Sequence, residues 1–345
     1  MVLELQPRLI SQIIIREALT AEKEVIERIQ AVILLGGSLL RGPLSTATGR
    51  SLLDLPVASG RSIFDCWRDH LESFASSNSI DSLTARLIID RRASKSILPL
   101  CEGAVNLSVE HDPHEYRGTA GILRDVSSDY DDDDYIVVAS AAQILLEPVE
   151  KLVCELASKA NDISLVAHDD GTPCGLMLIR CGCLREIPAI GYVDLKEQAF
   201  PEIAKHYRVH VVRRARPSGL PIRTLEDYVE ALRVHRRLLA GDSDHRAEED
   251  GYSLFEIVED GAVVNPGSRL HDSVVLRGGR VEGESVLFRS IVGPQGVVRQ
   301  KTLVGRIISG AESSLEGGYR KSFYSIPNFD VTRHRRLSKH FLQPT

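Results

Sequence analysis

The run Ala31-Val32-Ile33-Leu34-Leu35, followed at once by Gly36-Gly37, constrains this chain more than any other stretch. An apolar run with no polar alternation predicts one strand buried on both faces. Gly36-Gly37 then predicts a tight turn, and a small polar residue, an arginine, a proline and a Ser/Thr-rich loop follow. A loop of that kind belongs at the C-terminal end of a strand, where open α/β sheets bind ligands. Its glycines let the backbone approach a phosphate, and Arg41 has the geometry to fork onto one. The stretch fits neither G-x-x-x-x-G-K-[ST] nor G-x-G-x-x-G, so neither the P-loop nor the dinucleotide fingerprint is present. On local pattern alone, an ordinary glycine turn after a buried strand is an equal alternative.

The rest of the N-terminal two thirds alternates between helical and strand-like segments. Met1 to about Gln30 reads as helix, with Leu9, Ile13, Ile14 and Ala18 at helical spacing. It either packs on the domain or forms a dimer contact. Ser62–Ser73 reads as an amphipathic helix with Ile63, Phe64, Trp67 and Leu71 on one face. Leu87–Asp90, Val105–Val109 and Tyr135–Ala139 read as strands. Ile163–Leu184 reads as two strands around the Gly171-Thr172-Pro173 turn, in a hairpin or a crossover. This alternation predicts a doubly wound α/β sheet. Ser127–Asp134 (SSDYDDDD) reads as a solvated acidic loop, because consecutive carboxylates point in different directions.

Composition sets the outer bounds. The 345 residues allow two domains or one large one, and the net charge of −6 argues against general nucleic-acid binding. Six scattered cysteines suggest reduced thiols and a cytoplasmic protein. Cys181-Gly182-Cys183 has no second pair to complete a metal site. No apolar run reaches the roughly 18 residues of a membrane span, and the N-terminus does not read as a signal peptide.

Gly118 and Gly121 in HEYRGTAGILRDV (His114–Val126) permit close backbone approach, and Thr119 can hydrogen-bond a base edge. Ile122 and Leu123 are expected to begin the next helix. With these residues in view, a resemblance emerges. Gly36, Gly37 and Arg41, then Arg50-Ser51-Leu52-Leu53 and Gly60-Arg61-Ser62-Ile63, resemble the signature loop of the sugar-phosphate nucleotidyltransferases. Gly118-Thr119-Ala120-Gly121 resembles that family's base-facing G-T-A-G turn. Pro173-Cys174-Gly175-Leu176 resembles its N-[AS]-G-[IL] element. Gly191–Ile203 resembles its D-[FL]-x-K-[DE]-x-[LF]-P helix, and Leu220–Leu232 its D-I-G-T-P-E-D-Y-L element.

The resemblance implies a Rossmann-like nucleotidyltransferase domain. In it Leu35, Gly36, Gly37, Ser38, Gly118, Thr119 and Ala120 would bind the nucleotide. Gly175 and Asp194 would bind the sugar, and Arg41 and Arg50 would act in catalysis. The two loops are expected to line one pocket. The departures are equally specific. Where the family holds Mg²⁺ with two aspartates, this chain has Ser140-Ala141-Ala142 and Pro221. Arg50 replaces the loop lysine, and no lysine lies between Lys159 and Lys196. No metal ligand is therefore assigned. The expectation is a protein that binds a nucleoside triphosphate or nucleotide-sugar, catalyses weakly or not at all, and regulates or scaffolds. The alternative is an active enzyme joining a sugar 1-phosphate to a nucleotide, with Mg²⁺ held by other acids such as Asp54 or Asp194.

Beyond a polar linker the pattern changes. Val264, Leu270, Val275, Val281, Val286, Ile291 and Val297 recur at intervals of five or six. Such spacing predicts about three coils of a parallel β-helix, and it resembles the left-handed β-helix appended to many of these nucleotidyltransferases. An antiparallel sandwich is the alternative. The expected organisation is a helical extension over 1–30, the α/β domain over 31–240, a linker over 241–252, the β-helix over 253–312 and a basic tail over 313–345. The tail reads as flexible or as a polyanion contact. A homo-oligomer is expected, with no nucleic-acid or membrane partner.

Overall fold

The computed structural model describes residues 19–37, 42–91, 103–112, 114, 116–169, 171, 173–240 and 254–309. Residues 1–18, the linker 241–252, the tail 313–345 and the positions Ser38 and Arg41 lie outside the described residues. The chain divides into two compact units. The first holds the described residues up to Gly37, with Trp67–Ala141 and Glu147–Gly219. The second holds those of Leu39–Cys66, Ala142–Leu146 and Leu220 onward.

The first unit is built on a seven-stranded sheet. Its strands are β1 (Ile29–Gly37), β2 (Leu83–Ile89), β3 (Val105–His111), β4 (Tyr135–Ser140), β5 (Ile163–His168), β6 (Pro173–Arg180) and β7 (Val209–Arg214). They lie in the order β7-β5-β6-β4-β1-β2-β3. Only β6 runs against its neighbours, so β5 and β6 form the hairpin alternative rather than the crossover. The apolar run takes the centre, with Ala31, Val32, Ile33 and Leu34 all inaccessible to solvent. Ala31 and Ile33 join a core with Leu123, Ile136, Val138, Ile179 and Leu195. Val32 and Leu34 alternate to the other face. The sheet is mixed α/β with parallel strands at its centre.

Two local expectations change. The N-terminal helix, described over residues 19–27, ends before Ile29-Gln30, which already belong to β1. Gly36 and Gly37 are residues of β1 itself rather than of a turn. The strand runs through both glycines, and its register against β2 skips between Leu35 and Gly37. Glycine tolerates such an irregularity, because no side chain is forced into a neighbour.

Helix starts follow side-chain chemistry. Helix α1 (Ile63–Ser77) opens on a reciprocal cap in which the Ser62 N–H donates to Asp65 Oδ2 at 2.8 Å and the Asp65 N–H donates to Ser62 Oγ at 3.2 Å. Helix α2 (Gly118–Val126) begins at Gly118, four residues before the expected Ile122. Helix α3 (Val149–Ala157) packs on β5 and β6.

In the second unit, helix α4 (Leu225–Ala240) repeats the cap with Thr224 and Asp227. The segment from Glu256 forms three sheets whose strand pairs are all parallel. Successive strands enter the three sheets in rotation: Glu256–Val258, Val263–Val264, Arg269–His271, then Ser273–Val275, and so on. These pairings are not those of an antiparallel sandwich. The inward residues are Leu270, Val275, Val281, Leu287, Val292 and Val298. The last three sit one position after the expected Val286, Ile291 and Val297. In Val286-Leu287, Ile291-Val292 and Val297-Val298 two apolar residues adjoin, and a one-residue slip reverses the face. Serines also repeat from coil to coil. The Ser290 N–H donates to Ser273 Oγ, and the Ser285 N–H to Ser268 Oγ. Arg233 of α4 pairs with Asp272, both fully buried, and Asp272 also accepts from the Leu254 N–H at 2.7 Å.

Candidate active site

The register of the first unit's sheet brings four of the expected binding residues, Leu35, Gly36, Gly37 and Gly175, to one edge. Leu35 pairs with Ile88 of β2 and Ser140 of β4. Ala139 of β4 pairs with Leu176 of β6, so Gly175 falls at the same end. Ile89 pairs with His111, which brings the C-terminus of β3 to that edge too. Leu35, Gly36, Gly37, Ser140 and Gly175 thus share the C-terminal edge of the central strands, where α/β sheets take ligands. Gly175 has φ of 80° and lies within β6 opposite the register break between Leu165 and Ala167.

The Gly118 turn is shaped by its own chain. A Cβ on Gly118, whose φ is +69°, would stand 2.4 Å from the Val193 carbonyl oxygen. That carbonyl accepts from the Ala120 N–H at 3.2 Å, and the Val193 N–H donates to the Arg117 carbonyl at 3.0 Å. Thr119 Oγ1 accepts from the Leu195 N–H at 3.1 Å. The segment Val193-Asp194 and the first residue of the next helix, Leu195, therefore clasp the first turn of α2 and satisfy one of the donors a helix leaves open there. Asp194 caps the next helix by accepting from the Lys196 and Glu197 N–H groups at 2.8 and 2.9 Å. Thr119 is exposed, Ala120 is buried and Asp194 is half-buried.

Arg117 went unnoticed in the sequence. Its guanidinium is almost wholly buried and makes a bidentate pair with Asp125, 2.9 Å on each arm. It also donates to the carbonyls of Gly191 and Pro188 at 3.0 and 3.3 Å. The bond to Asp125 holds its pKa above the ordinary arginine value, against the effect of burial. A Cβ on Gly121 would stand 2.9 Å from Arg117 Cζ. Gly121 is the space in which this side chain lies. The one available signal was an arginine directly before a glycine-rich helix start, with an aspartate two helical turns later.

The end of β4 has a different character. Ser140 is half-buried and Ala141 fully buried. The Ala141 N–H donates to the Leu35 carbonyl at 3.0 Å, and its carbonyl accepts from Trp67 Nε1 at 3.0 Å. Among the described residues, no group of three or more His, Cys, Asp or Glu side chains could hold a metal ion. The acids of 131–134 are spread over separate partners: Asp132 pairs with Arg185, Asp133 with Arg180 and Arg28. Cys181 and Cys183 are buried, and burial pushes both thiols up to about 12. Arg50, in the second unit, pairs with Glu259 at 2.8 Å with little exposure on either side. Its charge is already matched by that carboxylate. Pro221 lies in a short strand, Gly219–Pro221, and is exposed.

This edge supplies backbone approach and a hydroxyl, which suit binding and orientation. It supplies no carboxylate at the end of β4 for a cation. No helix among the described residues is long and apolar enough to cross a membrane. No protein-family model matches the chain, and no curated protein matches it in sequence. Among solved structures, it is similar to a Bacillus anthracis protein assigned as a glucose-1-phosphate thymidylyltransferase and solved with sucrose. That match has 14% identity and a TM-score of 0.46, over 60% of this chain and 95% of the other. It is similar also to HddC from Yersinia pseudotuberculosis, with 14% identity and a TM-score of 0.45, over 59% of this chain and 98% of that one.

Proposed function

We propose that this chain is a nucleotidyltransferase-fold protein that binds a nucleoside triphosphate or nucleotide-sugar and has little or no transferase activity. Leu35, Gly36, Gly37 and Ser38 would take the phosphates, Gly118, Thr119 and Ala120 the base, and Gly175 and Asp194 the sugar, with Arg41 neutralising charge. The three C-terminal sheets would be a short left-handed β-helix, and the protein would act as a regulatory or scaffolding partner, as a homo-oligomer. The observation that carries the reading is the end of β4. There the resemblance calls for a carboxylate, and the chain has Ser140 followed by a fully buried Ala141.

Nucleotidyl transfer brings several negative charges into one pocket and depends on positioning and charge neutralisation. A divalent ion held by carboxylates normally supplies much of that. Arginine binds phosphate oxygens bidentately, so ligand binding survives where bridging of the reacting groups does not. Calorimetric titration with nucleoside triphosphates and nucleotide-sugars, with and without Mg²⁺, tests the proposal. Saturable binding that is little changed by Mg²⁺ is expected. Binding that strictly requires Mg²⁺ would favour the active enzyme, and no binding to any of the set would refute the nucleotide reading.

A further inference from the structure

The first unit also has a cleft of about 400 Å³ lined by His114, Arg124, Asp125, Ser128 and Arg185. It lies along α2, past the turn that carries Gly118 and Thr119, and contains none of the residues assigned to the nucleotide. Its volume is at the small end of ligand pockets.

The polar groups of its walls are unequally satisfied. Asp125 has both oxygens on Arg117, at 2.9 Å each. Its charge is thereby matched inside the protein. Arg185 is held rigidly: it donates to the carbonyls of Tyr130 and Ser127 at 2.7 and 3.0 Å and to Asp132 at 3.1 Å. Arg124 differs from both. Its nearest carboxylate oxygen is 4.0 Å away, on the Asp125 already matched to Arg117. Its Nε is buried with no hydrogen-bond partner. The rest of its side chain is about 30% exposed and is matched to no carboxylate closer than 4.0 Å, and an oxyanion in the cleft would supply acceptors in the geometry that arginine favours. The Ser128 hydroxyl stands on the same wall. Asp129 follows directly and accepts from Ser128 Oγ at 3.5 Å, and Asp131 to Asp134 come next in the chain. That acidic rim disfavours ligands with many negative charges.

We propose that this cleft binds a small phosphate monoester or inorganic phosphate, with Arg124 as the principal donor and Arg185, Ser128 and His114 around it. The site is distinct from the nucleotide site and stands whether or not that site binds nucleotide. The test is calorimetric titration of the full chain with inorganic phosphate and with glycerol 3-phosphate, at constant ionic strength against a chloride control. Saturable, Mg²⁺-independent binding is expected. Arg124→Gln should weaken it about tenfold or more, the usual worth of one charge-assisted bond, and leave the heats of nucleoside triphosphate binding unchanged. Should that variant fail to fold, Ser128→Ala carries the test and should weaken phosphate binding several-fold. Heats no larger than the chloride control would overturn the proposal. So would phosphate binding that is unchanged in both variants, or phosphate that competes with a nucleoside triphosphate, since it would then sit at the sheet edge.

Discussion

The start of α2 and the end of β4 belong to the same unit, and they treat the same resemblance in opposite ways. At α2 the motif is intact, and the chain itself uses what the motif provides. Gly118 makes room for the Val193 backbone and Gly121 for the Arg117 side chain. At β4 the fold needs only a small residue that can pack beside Trp67 and β1, and Ala141 meets that need. A carboxylate there would serve chemistry alone. Under the proposed reading, the glycines that the resemblance expects also serve packing, whereas the carboxylates it expects are replaced by Ser140 and Ala141. On that reading the glycines are weak witnesses for activity, and the end of β4 weighs against it.

The largest effect should come from restoring an acid in the buried position. Ala141→Asp places a carboxylate in a fully buried position where both backbone groups are already bonded. It should cost roughly 3–5 kcal/mol, read as a large drop in melting temperature. Ser140→Asp, half-buried, should fold normally and gain Mg²⁺-dependent nucleotide binding if the assigned position is right. A fully stable Ala141→Asp would break the contrast between the two regions.

Gly118→Ala should be next, at about 2–5 kcal/mol, from strain at positive φ and an overpacked backbone contact. If it melts like wild type while nucleotide binding disappears, the glycine serves the ligand rather than the clasp.

Asp162 shows what a buried carboxylate in this unit requires. It accepts from the Arg208 N–H at 2.8 Å and from Arg180 Nη1 at 3.0 Å. Burial alone would raise its pKa, but these bonds outweigh burial and leave it below the usual 3.8. A depressed folded pKa means the stabilisation is present above the unfolded value and is lost as pH falls through the folded one. Asp162→Asn should cost about 1–3 kcal/mol at pH 7, and its difference from wild type should shrink below about pH 4 in urea melts. A difference independent of pH would show that the charge is not what stabilises.

The smallest effect is expected at Thr119. Thr119→Val removes one acceptor from the Leu195 N–H and should cost about 0.5–1.5 kcal/mol. Hydrogen exchange should quicken at Leu195 first.

Much of this architecture was legible because it rests on local pattern. The aliphatic run at Ala31 could only be a central strand, and the five-to-six spacing after Val264 could not suit a helix. The limits were physical too. Gly118-Thr119-Ala120-Gly121 has poor helix propensity, so local pattern alone starts the helix at Ile122; a carbonyl 73 residues away, on Val193, secures the earlier start. Gly36-Gly37 looked like a turn because glycine also serves irregular strands. Arg117 depends on Pro188 and Gly191, and no local pattern reports such contacts. For the site, the resemblance named Leu35, Gly36, Gly37 and Gly175, which the sheet register brings to one edge, but it did not reveal that Arg50 is already engaged by Glu259.

The central claim, that packing residues persist where catalytic ones are gone, is tested most directly by pyrophosphate release over a panel of sugar 1-phosphates and nucleoside triphosphates with Mg²⁺. Losing one electrostatic contact to the transition state commonly costs about 10²–10³ in rate, and here both metal carboxylates of the resembling family are absent. The account predicts turnover at least that far below the enzyme median of about 10 per second for every pair. Turnover near that median for any pair would contradict it and place the metal on an acid elsewhere, with Asp54 and Asp194 the first to substitute.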